Sequence, residues 1–294
     1  MKSMVNKMKN FTKSLTLSLA LLTTSSMIAG LSGVCLAASN ANCNRTAAST
    51  QVVQSLYGKN NPVAIKGDAE ATNILQNFIY NDVNKQSQLS YKQQELVTLV
   101  VLAASSLPKD ITLHVQAALK AGATPEEVHE TILQTTPYIG IAKARPALIA
   151  MQKGFKKAGV NLPLVNAGSV TDATRYDDGL AVQKEIFGAE HIDRGTANTP
   201  ADAKFIREFL AANCFGDYYT RKVLDLKQRE LITFAAIATL GGCDSQVRSH
   251  VGANISVGNS RQDLLNTLTV MLPYIGYPRT LNALSAINTV APAK

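Results

Sequence analysis

A glutamate, a cysteine and a histidine punctuate "KQRELITFAAIATLGGCDSQVRSH", Lys227 to His250, a stretch otherwise apolar and rich in alanine. An imidazole held beside a carboxylate in an apolar pocket exchanges protons near neutral pH, because the carboxylate stabilises the imidazolium while burial opposes it. Glu230 and His250 are therefore candidate acid/base groups. The same two residue types return in "YKQQELVTLVVLAASSLPKDITLH", Tyr91 to His114, as Glu95 and His114. A structural use, in which Glu and His hydrogen-bond to loop backbone and close a hairpin, is the competing reading. Duplication fits both.

Cys243 lies seven residues before His250, a spacing that suits a redox site if a second thiol completes C-x-x-C. Gln246 stands at that second position, and in the earlier stretch the two equivalent places are Leu107 and Asp110. A lone thiol at a helix start is either an activated nucleophile or a small packing group. His129, in "EEVHE", reads as part of a solvated face, and His191, in "GAEHIDR", as a loop residue. Tyr138 and Tyr274, each in a "PYIG" tetrapeptide, either line a pocket or pack a turn, with turn packing preferred. No His/Cys cluster has zinc spacing, so no metal is expected.

The elements that must position these groups are repeated. "PYIG" recurs at an offset of 136 residues, shared by Gly122 and Gly258, Thr124 and Ser260, and His114 and His250. Glu95 and Glu230 are 135 apart, which places one inserted residue between Glu and His in the second copy, expected in the "LGGCD" turn. Gln94–Ala104 and Arg229–Thr239 are apolar runs broken by few polar residues, the pattern of helices buried on most sides. The next helices are expected to start near Asp110 and Asp244 and to stop at Gly122 and Gly258. "TPEE" opens a third helix with Thr124 as N-cap, Pro125 at its first position and Glu127 closing a capping box; Ser260 and Asp263 repeat that logic. Pro137 and Pro273 are expected to end it and force the turn, with a final helix beyond.

A helical hairpin does not by itself bring Glu to His. If the two groups lie at opposite ends of an antiparallel pair, they meet only when the His helix crosses back. No alternating runs bounded by hairpin turns occur, so the fold expected is all-α, two tandem copies of one helical unit. The expected boundaries are a leader over residues 1–38, a first unit over 44–155, a linker over 156–172 and a second unit over 173–290.

Lys2, Lys7, Lys9 and Lys13 precede an uncharged run from Leu15 to about Ala38, which reads as a secretory signal cut between Ala37 and Ala41. An uncleaved N-terminal anchor is the alternative, the one route to membrane attachment. Four of the 29 basic residues and none of the 21 acidic ones fall in this leader, which leaves the body only four charges positive. Basic residues there are scattered among acids with no aromatic interleaving, so nucleic acid is not an expected partner. Cys35, Cys43, Cys214 and Cys243 are the only cysteines, and sequence alone does not pair them.

Taken together, the two stretches through "PYIG" and the upstream "RYDDGLAVQKEIFGAEHIDR", Arg175 to Arg194, resemble the carboxymuconolactone decarboxylase family, which includes the alkylhydroperoxidase D-like proteins. That resemblance implies an all-helical, oligomeric protein whose tandem copies act as a built-in dimer. By resemblance Glu230 and His250 take the family's Glu and His positions, with Glu95 and His114 as counterparts. The activity implied is loss of CO₂ from a small lactone or carboxylic acid, with no cofactor. The peroxidase branch implies thiol chemistry at Cys243, which the missing second cysteine opposes. A non-catalytic helical binding or assembly module is the third reading.

Overall fold

The computed structural model describes residues 44–293; the leader, with Cys35 and Cys43, lies outside them. Every regular element among the described residues is helical. In the first repeat these are α1 (44–57), α2 (Ala69–Asn77, running on through a π-helical turn Phe78–Val83), α3 (Tyr91–Ala104), α4 (Pro108–Lys120), α5 (Pro125–Gln134), the short α6 (Thr136–Ile139) and α7 (Ile141–Lys157). The second repeat holds α8 (Arg175–Phe187), α9 (Ala189–Ala197), α10 (Lys204–Phe209, continuing as a π-helix Leu210–Tyr219), α11 (Leu226–Leu240), α12 (Asp244–Ser256) and α13 (Arg261–Val290).

Local signals account for most of these boundaries. Thr124 and Ser260 cap α5 and α13 in complete capping boxes with Glu127 and Asp263, as their spacing predicts. Ser90 with Gln93, and Asp225 with Gln228, do the same for α3 and α11. Gly122 and Gly258, with φ of 95° and 91°, end the His-bearing helices in the left-handed region open to glycine.

Four expectations are corrected. The break at "PYIG" is made by Gly140 and Gly276, at φ 77° and 74°, while Pro137 and Pro273 sit inside helical turns. The extra residue of the second repeat lengthens α11 to 15 residues against 14 in α3, and is absorbed before the "GGCD" turn. Leu107 and Cys243, not Asp110 and Asp244, are the cap positions of α4 and α12; the two carboxylates lie in the first turns, where they favour the helix dipole. His191 belongs to α9, exposed, and not to a loop.

Helices α3 and α11 pack against each other at the centre of the molecule. Leu99, Val100 and Val101 of the one and Phe234, Ala235 and Ala236 of the other are fully buried in a single core shared by both repeats. That continuity explains why residues 45–294 form one compact unit instead of two. Across this centre α11 also meets α5 and α6 of the first repeat, and α3 meets α13 of the second, so each repeat lays its "PYIG" end on the other.

Helix α8 and the π-helical segment after α10 approach until their backbones touch. A Cβ on Gly179 would lie 2.1 Å from the Ala211 carbonyl oxygen, and one on Gly216 would lie 2.1 Å from that of Arg175. Arg175 clamps Asp217 beside the crossing with two hydrogen bonds. Gly216→Ala is therefore expected to cost about 3 kcal/mol by overpacking against rigid backbone. The check is the urea midpoint; an unchanged midpoint would mean that the crossing opens freely.

Candidate active site

Helix α3 rises about 1.5 Å per residue, so Glu95 sits roughly 14 Å from the loop to α4 and His114 about 9 Å beyond it. The two groups are at similar depth, and their side chains close the difference without any crossing back. His114 Nδ1 lies 2.8 Å from Glu95 Oε2, and His250 Nδ1 lies 2.7 Å from Glu230 Oε2. Both pairs are buried, Glu230 completely. Carboxylate and imidazole meet in both repeats.

A carboxylate on Nδ1 fixes which ring nitrogen carries the proton there and turns Nε2 outward. Neither Nε2 has a protein hydrogen bond among the described residues. The His250 side chain keeps about a tenth of its surface exposed, that of His114 less.

Sequence reasoning missed the groups that hold the other carboxylate oxygen. In the second repeat Tyr219 donates to Glu230 Oε1 at 2.8 Å, and its oxygen lies 2.8 Å from the Thr233 hydroxyl. Burial, with Glu230 adding to it, holds the Tyr219 phenol well above its ordinary range, so it stays a donor. Asn254 ties the Glu230 and His250 carbonyl oxygens together at 3.0 and 2.7 Å and is itself held by Asn259 at 2.8 Å. Phe187 stands edge-on to the His250 ring with centroids 5.4 Å apart. One signal was present: "ELVT" and "ELIT" repeat a Thr one turn after each Glu.

The first repeat solves the same problem differently. Tyr57, at the end of α1 where the second repeat has Phe187 at the end of α8, donates to Glu95 Oε1. The same hydroxyl lies 3.2 Å from His114 Nδ1. Ala118 stands at the position of Asn254, 136 residues earlier. The His114 side chain is 3% exposed against 10% for His250. The second pair is the more open of two equivalent geometries.

Cys214 and Cys243 are both free thiols. Cys243 caps α12 and donates a weak hydrogen bond to the Gly241 carbonyl at 3.5 Å. Burial pushes the Cys214 thiol up to about 12 and leaves it unreactive as a nucleophile at neutral pH. His129 is half-buried and bonds to the adjacent Glu130 at 3.3 Å, not fully solvated as its charged neighbours suggested. No cluster of potential metal ligands occurs among the described residues. A groove of about 1100 Å³, lined by Lys109, Thr112 and Lys153 among others, lies along α4 and α7 and includes neither Glu95 nor His114.

These features define an all-helical tandem repeat that buries a carboxylate-held imidazole in each unit. The chain belongs to the carboxymuconolactone decarboxylase family, whose profile matches residues 69–153 and 206–289. It is similar to a 4-carboxymuconolactone decarboxylase of Acinetobacter baylyi, 27% identical over 121 residues, spanning 41% of this chain and 90% of that protein. It is also similar to the nitrosuccinic acid decarboxylase npaB of Metarhizium robertsii, 23% identical over 109 residues, 37% of this chain and 76% of the relative. Each match is about one repeat long.

Proposed function

We propose that the chain removes CO₂ from a small carboxylic acid, or moves a proton on one, by acid/base chemistry at Glu230 and His250 without a cofactor. The observation that carries this reading is the buried His250 Nδ1 to Glu230 Oε2 hydrogen bond, with the second carboxylate oxygen taken by Tyr219. Both relatives are named for acids that pair a carboxylate with an electron-accepting group, a lactone or a nitro group. Such acids suit the site's chemistry. As the bond to the carboxylate breaks, its electron pair passes into the accepting group and CO₂ leaves. The imidazolium then gives the Nε2 proton to the carbon, Glu230 having stabilised that cation, and solvent returns the proton.

The assay is CO₂ release from acids labelled at the carboxyl carbon, with 4-carboxymuconolactone and nitrosuccinate first in the panel. Release above the uncatalysed rate that disappears in the His250 variant supports the reading. A flat response across lactone and nitro acids alike removes the decarboxylase and leaves proton exchange at the substrate carbon, read by deuterium uptake. A thiol peroxidase gains no support from two free cysteines of which one is deeply buried. Peroxide consumption abolished by Cys243→Ser would nonetheless reinstate it. Export and self-association remain parts of the proposal. A monomeric mass by light scattering would remove the second.

A further inference from the structure

Tyr138 belongs to the first repeat, in the "PYIG" of α6, yet its hydroxyl lies 2.8 Å from that of Tyr219 in the second. Its ring stands edge-on to His250 with centroids 5.6 Å apart and an interplanar angle of 90°. Cys214 donates to the Tyr138 oxygen at 3.7 Å. Turn packing, the expectation from sequence, does not account for a phenol whose hydroxyl and ring reach these groups of the other repeat.

The donor directions can be assigned. Tyr219 has one hydroxyl hydrogen, and it goes to Glu230 Oε1. Its oxygen must therefore accept from Tyr138, whose own oxygen is left to accept from Cys214. The hydrogen bonds run in one sense, from Cys214 through Tyr138 and Tyr219 to Glu230, and end on the carboxylate that holds His250. In a dry interior each bond of such a chain polarises the next.

The first repeat lacks this chain. Tyr274, the counterpart of Tyr138, reaches across to the neighbourhood of Glu95, Tyr80 and Thr98, where burial first and Glu95 second push its phenol up. The Tyr80 hydroxyl lies there beside those of Tyr57 and Tyr274 but makes no hydrogen bond of normal geometry among the described residues. Crossing is common to both sites, whereas among the described residues the hydroxyl chain closes at hydrogen-bond distance in the second.

We infer that Tyr138 is a positioning residue of the Glu230 and His250 site, so that the working site of this chain is a composite of both repeats and the first repeat serves the second. It acts through Tyr219. Its hydrogen bond strengthens the Tyr219 donor, which steadies the charge on Glu230 and the direction in which that carboxylate meets Nδ1. The inference deepens the function proposed above and rests on it for turnover, but the coupling has its own readout.

Tyr138→Phe keeps the ring and deletes only the oxygen. The ring nitrogen and Nδ1 proton resonances of His250, assigned by their loss in His250→Asn, are expected to move in Tyr138→Phe and to move further in Tyr219→Phe. They are expected to stay in place in Tyr274→Phe. If a decarboxylase assay is in hand, Tyr138→Phe should lower kcat roughly fivefold with KM little changed, the size of one lost neutral hydrogen bond. An unchanged His250 signature in a folded Tyr138→Phe protein, or the same displacement in Tyr274→Phe, overturns the inference. Spectral coupling with neither CO₂ release nor deuterium uptake at the substrate carbon would instead overturn the proposed reaction and leave the composite site standing.

Discussion

Replacing His250 with Asn is expected to lower turnover by a factor of about 10² to 10⁴, the range for losing a positioned general acid. Its helical spectrum should stay intact, because the imidazole lies at the edge of the core and an Asn side chain is smaller. Glu230→Gln should fall nearly as far. It keeps an acceptor for Tyr219 but removes the negative charge that stabilises the imidazolium. Because the two residues act as one unit, the double variant should be little worse than either single one. Additive losses would mean independent roles. His114→Asn should have a much smaller effect on turnover, since the Tyr57 hydroxyl already crowds His114 Nδ1 and that ring is the more enclosed. Equal losses at His114 and His250 would show two working sites and refute the ranking.

The second large effect concerns stability. Glu130, on α5, accepts from two guanidinium nitrogens of Arg221, Nε and Nη2, at 2.8 to 3.0 Å and faces Arg229 at 3.4 Å. Arg229 is fully buried; its other partners are Gln134 at 2.7 Å and the carbonyls of Arg221 and Lys222 at 2.7 and 3.3 Å. Glu130→Ala strands that cation without its counter-charge in the interior, which costs about 3–5 kcal/mol. The loss should appear as a large drop in the denaturant midpoint. Glu130→Gln should lie between, because it keeps hydrogen-bond acceptance and loses charge. A drop under about 1 kcal/mol for Glu130→Ala would show that Arg229 relaxes to water.

The same network sets an acid limit. Burial raises the Glu130 carboxyl, but His129, Arg221 and Arg229 outweigh it and hold the group down at about 2. A carboxylate depressed in the folded state stabilises fully above its unfolded value near 4.5 and loses that contribution as pH falls toward about 2. Wild-type stability should therefore decline across this window by up to about 3 kcal/mol from this group. The Glu130→Gln variant should lack that part of the slope. Matching slopes in the two proteins would remove Glu130 as the cause.

How much could be read in advance depended on the range of each interaction. The buried runs of α3 and α11 and the capping residues at 124 and 260 are visible because neighbours along the chain produce them. The Glu and His pairs were visible as repeated residue types, and their meeting is a matter of helix rise across one short loop. Tyr57 and Tyr219 were not visible as counterparts, since they stand on different elements of their repeats and touch equivalent oxygens. Arg229 entered the sequence reading as the first residue of an apolar helical run. Only the packing of α11 on α5 showed that it is a buried ion-pair member joining the repeats.

By itself the sequence determined an all-helical chain built twice, with a carboxylate and an imidazole at matching places in each copy. Capping, apolar periodicity and glycine turns act between residues a few positions apart, so they survive any arrangement of the helices. Tertiary structure alone decided that Tyr138 of one repeat faces the site of the other, 81 residues from Tyr219, and that a hydroxyl chain closes on the second pair. A hydrogen bond requires its atoms within about 3 Å, and over such separations only the packing of helix on helix sets that distance.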